Sequence, residues 1–169
     1  MSKILVARTA NLGFIKVIGR GSFQNSGCLK AFYQQLLKEG VDRFVVDLEK
    51  CTYLDSTFLG ILLGLGLKLK DIGNGLLHIL NASPRNLELL KNLGLDRLIQ
   101  IDTKHVELNG VIEKQLEEMP CPVPTRDEAG PTILEAHENL MEFDPRNIPK
   151  FKDVVEFLRE DLGHTADNT

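Results

Sequence analysis

The residue types best suited to chemistry lie together at Asp55, Ser56 and Thr57, where one carboxylate precedes two hydroxyl groups. They stand between an apolar run at residues 44–48 and a leucine-rich stretch at residues 59–69. An apolar run of strand length, then a polar break and then a period near 3.6, predicts a strand, a loop and a helix in that order. The three polar residues are therefore expected at the N-terminal end of a helix.

Two roles are open to these side chains. The first N–H groups of a helix lack intrahelical partners, so an oxygen of Asp55, Ser56 or Thr57 can cap them. Alternatively, a hydroxyl there can accept a phosphoryl group, whose negative charge the free amides and the helix dipole would partly offset. The residues alone favour capping, because Asp, Ser and Thr are the usual N-cap residues.

Length and composition fit one domain with an appendage. The chain has 169 residues, of which 43% are hydrophobic. No stretch reaches the roughly 20 apolar residues that a membrane-spanning helix needs, and the first residues lack the apolar segment of a secretory signal. We therefore expect a cytoplasmic protein without a membrane span.

Charge is distributed unevenly along the chain. Residues 1–101 carry 13 Lys and Arg against 8 Asp and Glu, a net charge of +5, whereas residues 102–169 carry 7 against 16, a net charge of −9. Neither part has the clustered arginines and interleaved aromatics of a nucleic-acid-binding surface. We expect no direct contact with nucleic acid, and an acidic end that pairs with a basic surface or is simply solvated.

The cysteines and histidines show no metal-ligand or disulfide spacing. They are Cys28, Cys51 and Cys121, and His78, His105, His137 and His164. Widely spaced cysteines in odd number favour reduced thiols. We therefore expect no metal site and no cofactor, and we expect His137 to be a core or boundary residue on an apolar helix face.

The predicted elements alternate after an opening hairpin at residues 4–10 and 14–18. A first helix is expected after a cap at Asn25 or Ser26, and a third after Ser83 and Pro84. Further strands are predicted at residues 44–48, 76–80 and 98–101, with further helices at residues 59–69 and 111–119. This alternation predicts an α/β fold with a mixed, mainly parallel sheet and about four helices. Sites in such sheets gather at the carboxyl ends of strands.

A separate unit follows the α/β pattern. Prolines and glycines at residues 120–131 predict a linker that cannot continue a helix. Two apolar stripes at helical spacing then predict a helical hairpin over residues 132–163, followed by a polar tail at residues 164–169. Such a hairpin is too small to bury both stripes alone. It must pack on the α/β body, on a second copy of the chain or on another protein.

The chain resembles the STAS domain of bacterial anti-sigma factor antagonists over about residues 4–119. The matching features are Leu54, Asp55, Ser56 and Thr57, the strand Val45, Val46, Asp47 and Leu48, the glycine-bearing leucine helix, the Ser83 and Pro84 helix start, and Gly94 and Leu95 before the last strand. The resemblance implies that residues 1–119 form a STAS-like domain, with the linker, hairpin and tail added to it.

The resemblance also implies a phosphorylation switch. The hydroxyl directly after the aspartate, Ser56, would be phosphorylated by a partner serine kinase that is also the anti-sigma factor, with Thr57 as the neighbouring alternative. Asp55, Thr57, Phe58 and Leu59 would contact this partner. Phosphorylation would release the partner, and a PP2C-type phosphatase is the candidate for resetting the switch. The family usually has Gly where Phe58 stands, so this ring belongs to the partner interface, to the turn or to the core.

Two alternatives stay open beside this non-enzymatic regulator. The chain could be a scaffold or adaptor in which Ser56 is only a cap and the C-terminal helices recruit another protein or a second copy. It could also be a small serine hydrolase that uses Ser56, which the sequence disfavours because no catalytic base is evident.

Overall fold

Seven strands and six helices make up residues 1–167, the part of the chain that this computed structural model describes, with side chains described through residue 163. The strands are β1 (Lys3–Arg8), β2 (Leu12–Gly21), β3 (Arg43–Asp47), β4 (Cys51–Leu54), β5 (Leu76–Leu80), β6 (Gln100–Ile101) and β7 (Glu117–Glu118). The helices are α1 (Phe23–Lys38), α2 (Ser56–Ile72), α3 (Pro84–Asn92), α4 (Gly110–Gln115), α5 (Arg126–Phe143) and α6 (Ile148–Asp167). None of these helices is long and apolar enough to cross a membrane.

The strands form one mixed sheet in the order β6-β5-β3-β2-β1-β7, and β4 pairs with the end of β2. The opening hairpin β1–β2 is antiparallel, as is the β1–β7 pair, whereas the β2–β3, β3–β5, β5–β6 and β2–β4 pairs are parallel. The predicted fold class is confirmed. A short strand that we did not predict, β4, leads directly into α2, so the polar residues follow β4 and not the run at residues 44–48.

Helix α2 is the central helix of the fold. Every residue from Thr57 to Gly66 is buried, as expected for a helix that is apolar on all sides and covered on all sides. Two of its glycines, Gly60 and Gly64, face α5, and Gly66 lies near Leu98 and Ile99.

Several helix boundaries differ from the predicted ones. Helix α1 begins after Ser22, whose side chain accepts from the Gln24 N–H, while Asn25 completes the capping box from inside the helix. The fourth helix ends at Gln115 because residues 117–118 pair with β1 as β7. The predicted helix through residue 119 was therefore too long.

The predicted linker is partly helical. Thr125 caps α5, which begins at Arg126 and contains Pro131 within it. Burial of Ala129, Ala136 and Leu140 along α5 compensates for the helix hydrogen bond that proline cannot make. The hairpin α5–α6 packs on the α/β body, mainly through α5 on α2 and α1. Residues 164–167 of the predicted tail continue α6, and residues 168–169 lie outside the described part.

Two of the three cysteines are joined, so the expectation of reduced thiols was wrong for them. Cys28 in α1 and Cys121 after β7 form a disulfide across a separation of 93 residues. Cys51 is a buried free thiol. The pairing follows from the fold, which brings the segment before α5 against α1, and sequence spacing carries no signal for it.

Candidate functional site

The carboxylate of Asp55 holds two helices at once. One oxygen, Oδ1, accepts from the N–H of Phe58 at 2.8 Å and so caps α2, while Oδ2 accepts from the N–H of Phe23 at 2.8 Å, at the start of α1. Backbone N–H groups at helix starts favour a negatively charged acceptor. Asp55 is therefore the N-cap of α2, and Ser56 and Thr57 are its first two helical residues.

The hydroxyl of Ser56 is not used for capping and instead contacts a helix from the C-terminal hairpin. Ser56 Oγ lies 2.8 Å from Nε2 of His137 in α5. The other ring nitrogen, Nδ1, lies 2.7 Å from the carbonyl oxygen of Ile133. Because a carbonyl oxygen only accepts, a neutral ring carries its hydrogen on Nδ1, which leaves Nε2 as the acceptor. The Ser56 hydroxyl therefore donates to His137.

His137 was expected to be a core or boundary residue on an apolar helix face. It is 5% exposed, and its ring meets that of Phe151 edge-on, with centroids 4.9 Å apart. Its contact with Ser56, 81 residues away in sequence, was missed. The available signal was a histidine among apolar residues of a helical stripe, together with small residues spaced four apart after Ser56 on α2.

The structure places three of the four predicted partner-contact residues inside the protein. Thr57 is 4% exposed, Phe58 0% and Leu59 1%. The Phe58 ring fills the space beside Gly21, where an added Cβ would lie 2.9 Å from the ring. Phe58 is thus a core residue, and direct partner contact by these three residues is not possible in this conformation. Asp55 and Ser56 are half-exposed.

Two arginines contact the ring of Tyr53, a residue close in sequence to the cap. The guanidinium groups of Arg20 and Arg85 lie 4.9 and 5.4 Å from the centre of the Tyr53 ring, and Tyr53 comes two residues before Asp55. Lys68 lies over the ring of Tyr33, 5.6 Å from its centre. Burial raises the pKa of Tyr33, whose hydroxyl donates to the Ile61 carbonyl, and the charge of Glu135 raises it further. Among the side chains of residues 1–163, no three His, Cys, Asp or Glu group as metal ligands.

The environment of Asp144, at the turn between α5 and α6, predicts that the stability of the fold depends on pH. Hydrogen bonds from the Arg146 side chain, together with the Arg146 N–H and the charge of Arg97, lower the pKa of Asp144 to about 2. Because the pKa is lower in the folded chain, the ionised carboxylate stabilises the fold at pH values above the pKa of the unfolded chain, about 3.9. This stabilisation is lost as the pH falls towards 2.

We expect the urea midpoint of the wild-type chain to exceed that of Asp144→Asn at pH 5 and above. The difference should shrink between pH 4 and pH 2, because the wild-type carboxylate becomes protonated there. A difference that stays constant over this range would contradict the role of the ionised carboxylate. Arg159→Gln, which removes a cation from an exposed ion pair between α6 and α5, is the control and should lack this change.

Comparison with known proteins identifies the family. Residues 4–100, more than half of the chain, match the family described as the MlaB STAS domain. The chain belongs to the STAS domain family, which confirms the resemblance inferred from sequence. No curated protein matches the chain significantly.

Solved structures share this fold. Bacillus SpoIIAA in its phosphorylated form is 20% identical, with 60% of this chain and 92% of that chain covered and a TM-score of 0.50. A putative anti-sigma factor antagonist from Thermotoga maritima is 15% identical, with 65% and 92% covered and a TM-score of 0.54. An anti-sigma factor antagonist from Mycobacterium paratuberculosis is 19% identical, with 62% and 87% covered and a TM-score of 0.53. At these identities the likeness establishes the fold.

Proposed function

We propose that this chain is a non-enzymatic regulatory protein that binds a kinase-type anti-sigma factor, or a related signalling protein, and is switched by phosphorylation of Ser56. The observation that carries the proposal is the hydroxyl of Ser56 at the first position of α2, with its capping role taken by Asp55. SpoIIAA, which has this fold, is an anti-sigma factor antagonist with an unphosphorylated and a phosphorylated form. A cytoplasmic location and a PP2C-type phosphatase belong to the same proposal.

The geometry favours Ser56 over Thr57 as the acceptor. Thr57 is buried, whereas Ser56 is half-exposed. A phosphoryl group on Ser56 would add a charge of roughly −1.5 to −2 beside the carboxylate of Asp55. The N-terminal amides of α2 would offset part of that charge. The remainder would repel an acidic partner surface, which is how one modification could end a complex.

The test is phosphorylation by a serine kinase of the anti-sigma factor type from the same organism. Mass spectrometry of the chain after incubation with this kinase and ATP, and of the chain isolated from cells, should find phosphate on Ser56. Ser56→Ala should lose at least about nine-tenths of the incorporated phosphate, while Thr57→Val should keep it, because only the first variant removes the hydroxyl that is not fully buried. Undiminished phosphate in Ser56→Ala would refute the assignment.

A serine hydrolase is the second candidate, because the structure supplies the base that the sequence did not show. A serine hydroxyl that donates to histidine Nε2 is the arrangement of a nucleophile and its general base. Here, however, the Ile133 carbonyl stands where hydrolases usually place a carboxylate, and the histidine is buried. Ester turnover by the wild-type chain that is lost in both Ser56→Ala and His137→Ala would support a hydrolase. Wild-type turnover no faster than that of the two variants would exclude it.

An adaptor role has its own observation. Helix α6 leaves Val154 43% and Phe157 63% exposed on the outside of the hairpin. Exposed apolar side chains of this size can contact another protein or a second copy of the chain. If the partner is a second copy of the chain, this role requires self-association through α6. Sedimentation should then show a larger species for the wild-type chain than for Phe157→Ser.

A further inference from the structure

Ser56, Gly60 and Gly64 form one stripe along α2, because residues four apart lie on the same side of a helix. Helix α5 covers this stripe. A Cβ added at Gly60 would overlap the carbonyl group of Ala136 and would lie 2.7 Å from its Cα. The backbones of α2 and α5 are thus in contact at Gly60, which a residue with a side chain would not allow.

Polar contacts align α5 on this stripe. Ser56 donates to His137, and Asn139 Nδ2 donates to the carbonyl oxygen of Gly60 at 3.3 Å. Lys30 of α1 forms an ion pair with Glu135 on the same helix. Once α5 moves, each of these bonds can be replaced by a bond to water or to groups of another protein.

Both ends of α5 have attachments to the body besides the contacts with the stripe. At the end before α5, Cys121 is bonded to Cys28 of α1. At the other end, the Asn147 side chain donates to the carbonyl oxygens of Leu93 and Leu140, both at 2.9 Å. A displaced α5 would therefore remain beside the body and could return.

We propose that the Ser56–Gly60–Gly64 stripe is a helix-docking surface that α5 occupies in the isolated chain, so that α5 competes with the partner protein for access to Ser56. The occupant that fits is a helix with a small residue opposite Gly60, as Ala136 is in α5. This inference rests on the proposed function, since it takes Ser56 as the phosphate acceptor. In that reaction the γ-phosphoryl group of ATP is bonded to Ser56 Oγ, ADP leaves, and the hydroxyl proton passes to solvent.

Competition lowers the apparent reactivity of Ser56. Only the fraction of chains with α5 displaced can bind the kinase, so the apparent affinity falls in proportion to that fraction. A change that unseats α5 without touching Ser56 should therefore speed phosphorylation, by about tenfold for each tenfold rise in the open fraction.

Gly60→Ala is expected to displace α5 without altering Ser56. The new methyl group collides with Ala136 of α5, while alanine suits the interior of α2 better than glycine does. Gly27→Ala is the matched control, because an added Cβ at Gly27 of α1 meets nothing within 4 Å. A second variant, His137→Ala with Asn139→Ala, breaks the contact from the α5 side and leaves α2 unaltered.

Hydrogen exchange of the isolated, oxidised chain reports whether α5 is displaced. We expect α5 amides to exchange at least about tenfold faster in Gly60→Ala and in the α5 double variant than in wild type or Gly27→Ala. The same serine kinase with ATP should then phosphorylate Ser56 about tenfold faster in the same two variants. Both results together support the inference.

Two results would overturn it. Exchange of α5 that is unchanged in both variants would mean that the stripe does not control docking. Faster exchange with an equal rate of Ser56 phosphorylation would mean that α5 does not compete with the partner, although the proposed function would stand. Absence of phosphate on Ser56 in every variant is a different failure, because it removes the proposed function and the competition with it.

Discussion

Replacement of Phe58 by alanine is expected to lower the free energy of unfolding by about 3–5 kcal/mol, the usual cost of truncating a buried phenylalanine. The Phe58 ring is 0% exposed. It packs against the bare Cα of Gly21 and lies in the same core cluster as Leu54. Alanine would leave a void that backbone and neighbouring side chains can fill only in part. Urea denaturation followed by circular dichroism measures the loss.

Phe157→Ala is the control for this prediction. Phe157 is 63% exposed on α6, so the same change of side chain should cost less than about 0.5 kcal/mol. A loss at Phe58 as small as the loss at Phe157 would show that the ring is not part of the core. Gly21→Ala provides a second check. Its methyl group meets the Phe58 ring in the wild type, so its cost should be smaller in the Phe58→Ala background.

This result would explain the departure of the chain from the family pattern. The family usually has Gly where this chain has Phe58, and from sequence the ring could belong to the partner interface, to the turn or to the core. The structure pairs the large residue at position 58 with glycine at position 21 on β2. The ring therefore supports the start of α2 from inside and leaves the outer side of Asp55 and Ser56 half-exposed.

Local signals in the sequence were sufficient for much of the fold. Strand β5 has the predicted bounds, and α3 begins with Ser83 as the cap and Pro84 as the first helical residue. Asp55 was among the three predicted caps of α2. In each case the deciding interaction lies within a few residues, as in capping, proline geometry or a continuous apolar run.

Features that depend on distant contacts could not be predicted. Strand β4 has four residues and exists through its pairing with the end of β2. Helix α5 includes Pro131, a local signal for a break that tertiary packing overrides. The bond between Ser56 and His137 spans 81 residues. Gly60 and Gly64 after Ser56 indicate a close helix contact, but they do not identify His137 as the partner.

The site therefore has two parts of different origin. The N-terminus of α2, with Asp55 and Ser56, lies within the region that matches the STAS family at residues 4–100. Helix α5, which supplies His137, begins at Arg126, beyond that region. A family comparison alone describes the hydroxyl but not the helix that covers it. The control of Ser56 by α5 is thus a property to be sought in this chain itself.

Reduction of the Cys28–Cys121 disulfide is expected to lower the free energy of unfolding by about 2–4 kcal/mol. The bond closes a loop across 93 residues, and a cross-link over a long loop restricts the unfolded chain strongly in the chain-entropy account. Urea denaturation with and without a phosphine reductant measures the difference. The double variant Cys28→Ser, Cys121→Ser should be as unstable as the reduced chain and insensitive to the reductant.

The free thiol of Cys51 allows the disulfide to be tested by alkylation. Burial raises the pKa of the Cys51 thiol, which is 4% exposed, so alkylation of the folded chain should spare it. Alkylation after denaturation should label Cys51 alone when the disulfide is intact and all three cysteines after reduction. Labelling of all three without reductant would contradict the bond.

The same disulfide also affects how firmly α5 is held over Ser56. Cys121 lies shortly before Arg126, where α5 begins, so reduction frees the segment that leads into this helix. In a reducing compartment the dithiol form would predominate, and α5 would then be held by its noncovalent contacts with α2 and α1 and by the α6 end of the hairpin. We therefore expect reduction to increase the rate of hydrogen exchange at the start of α5. Reduction of the Gly60→Ala variant should increase this rate further. Exchange that is unchanged by reduction would show that the contacts of α5 hold it without the covalent link.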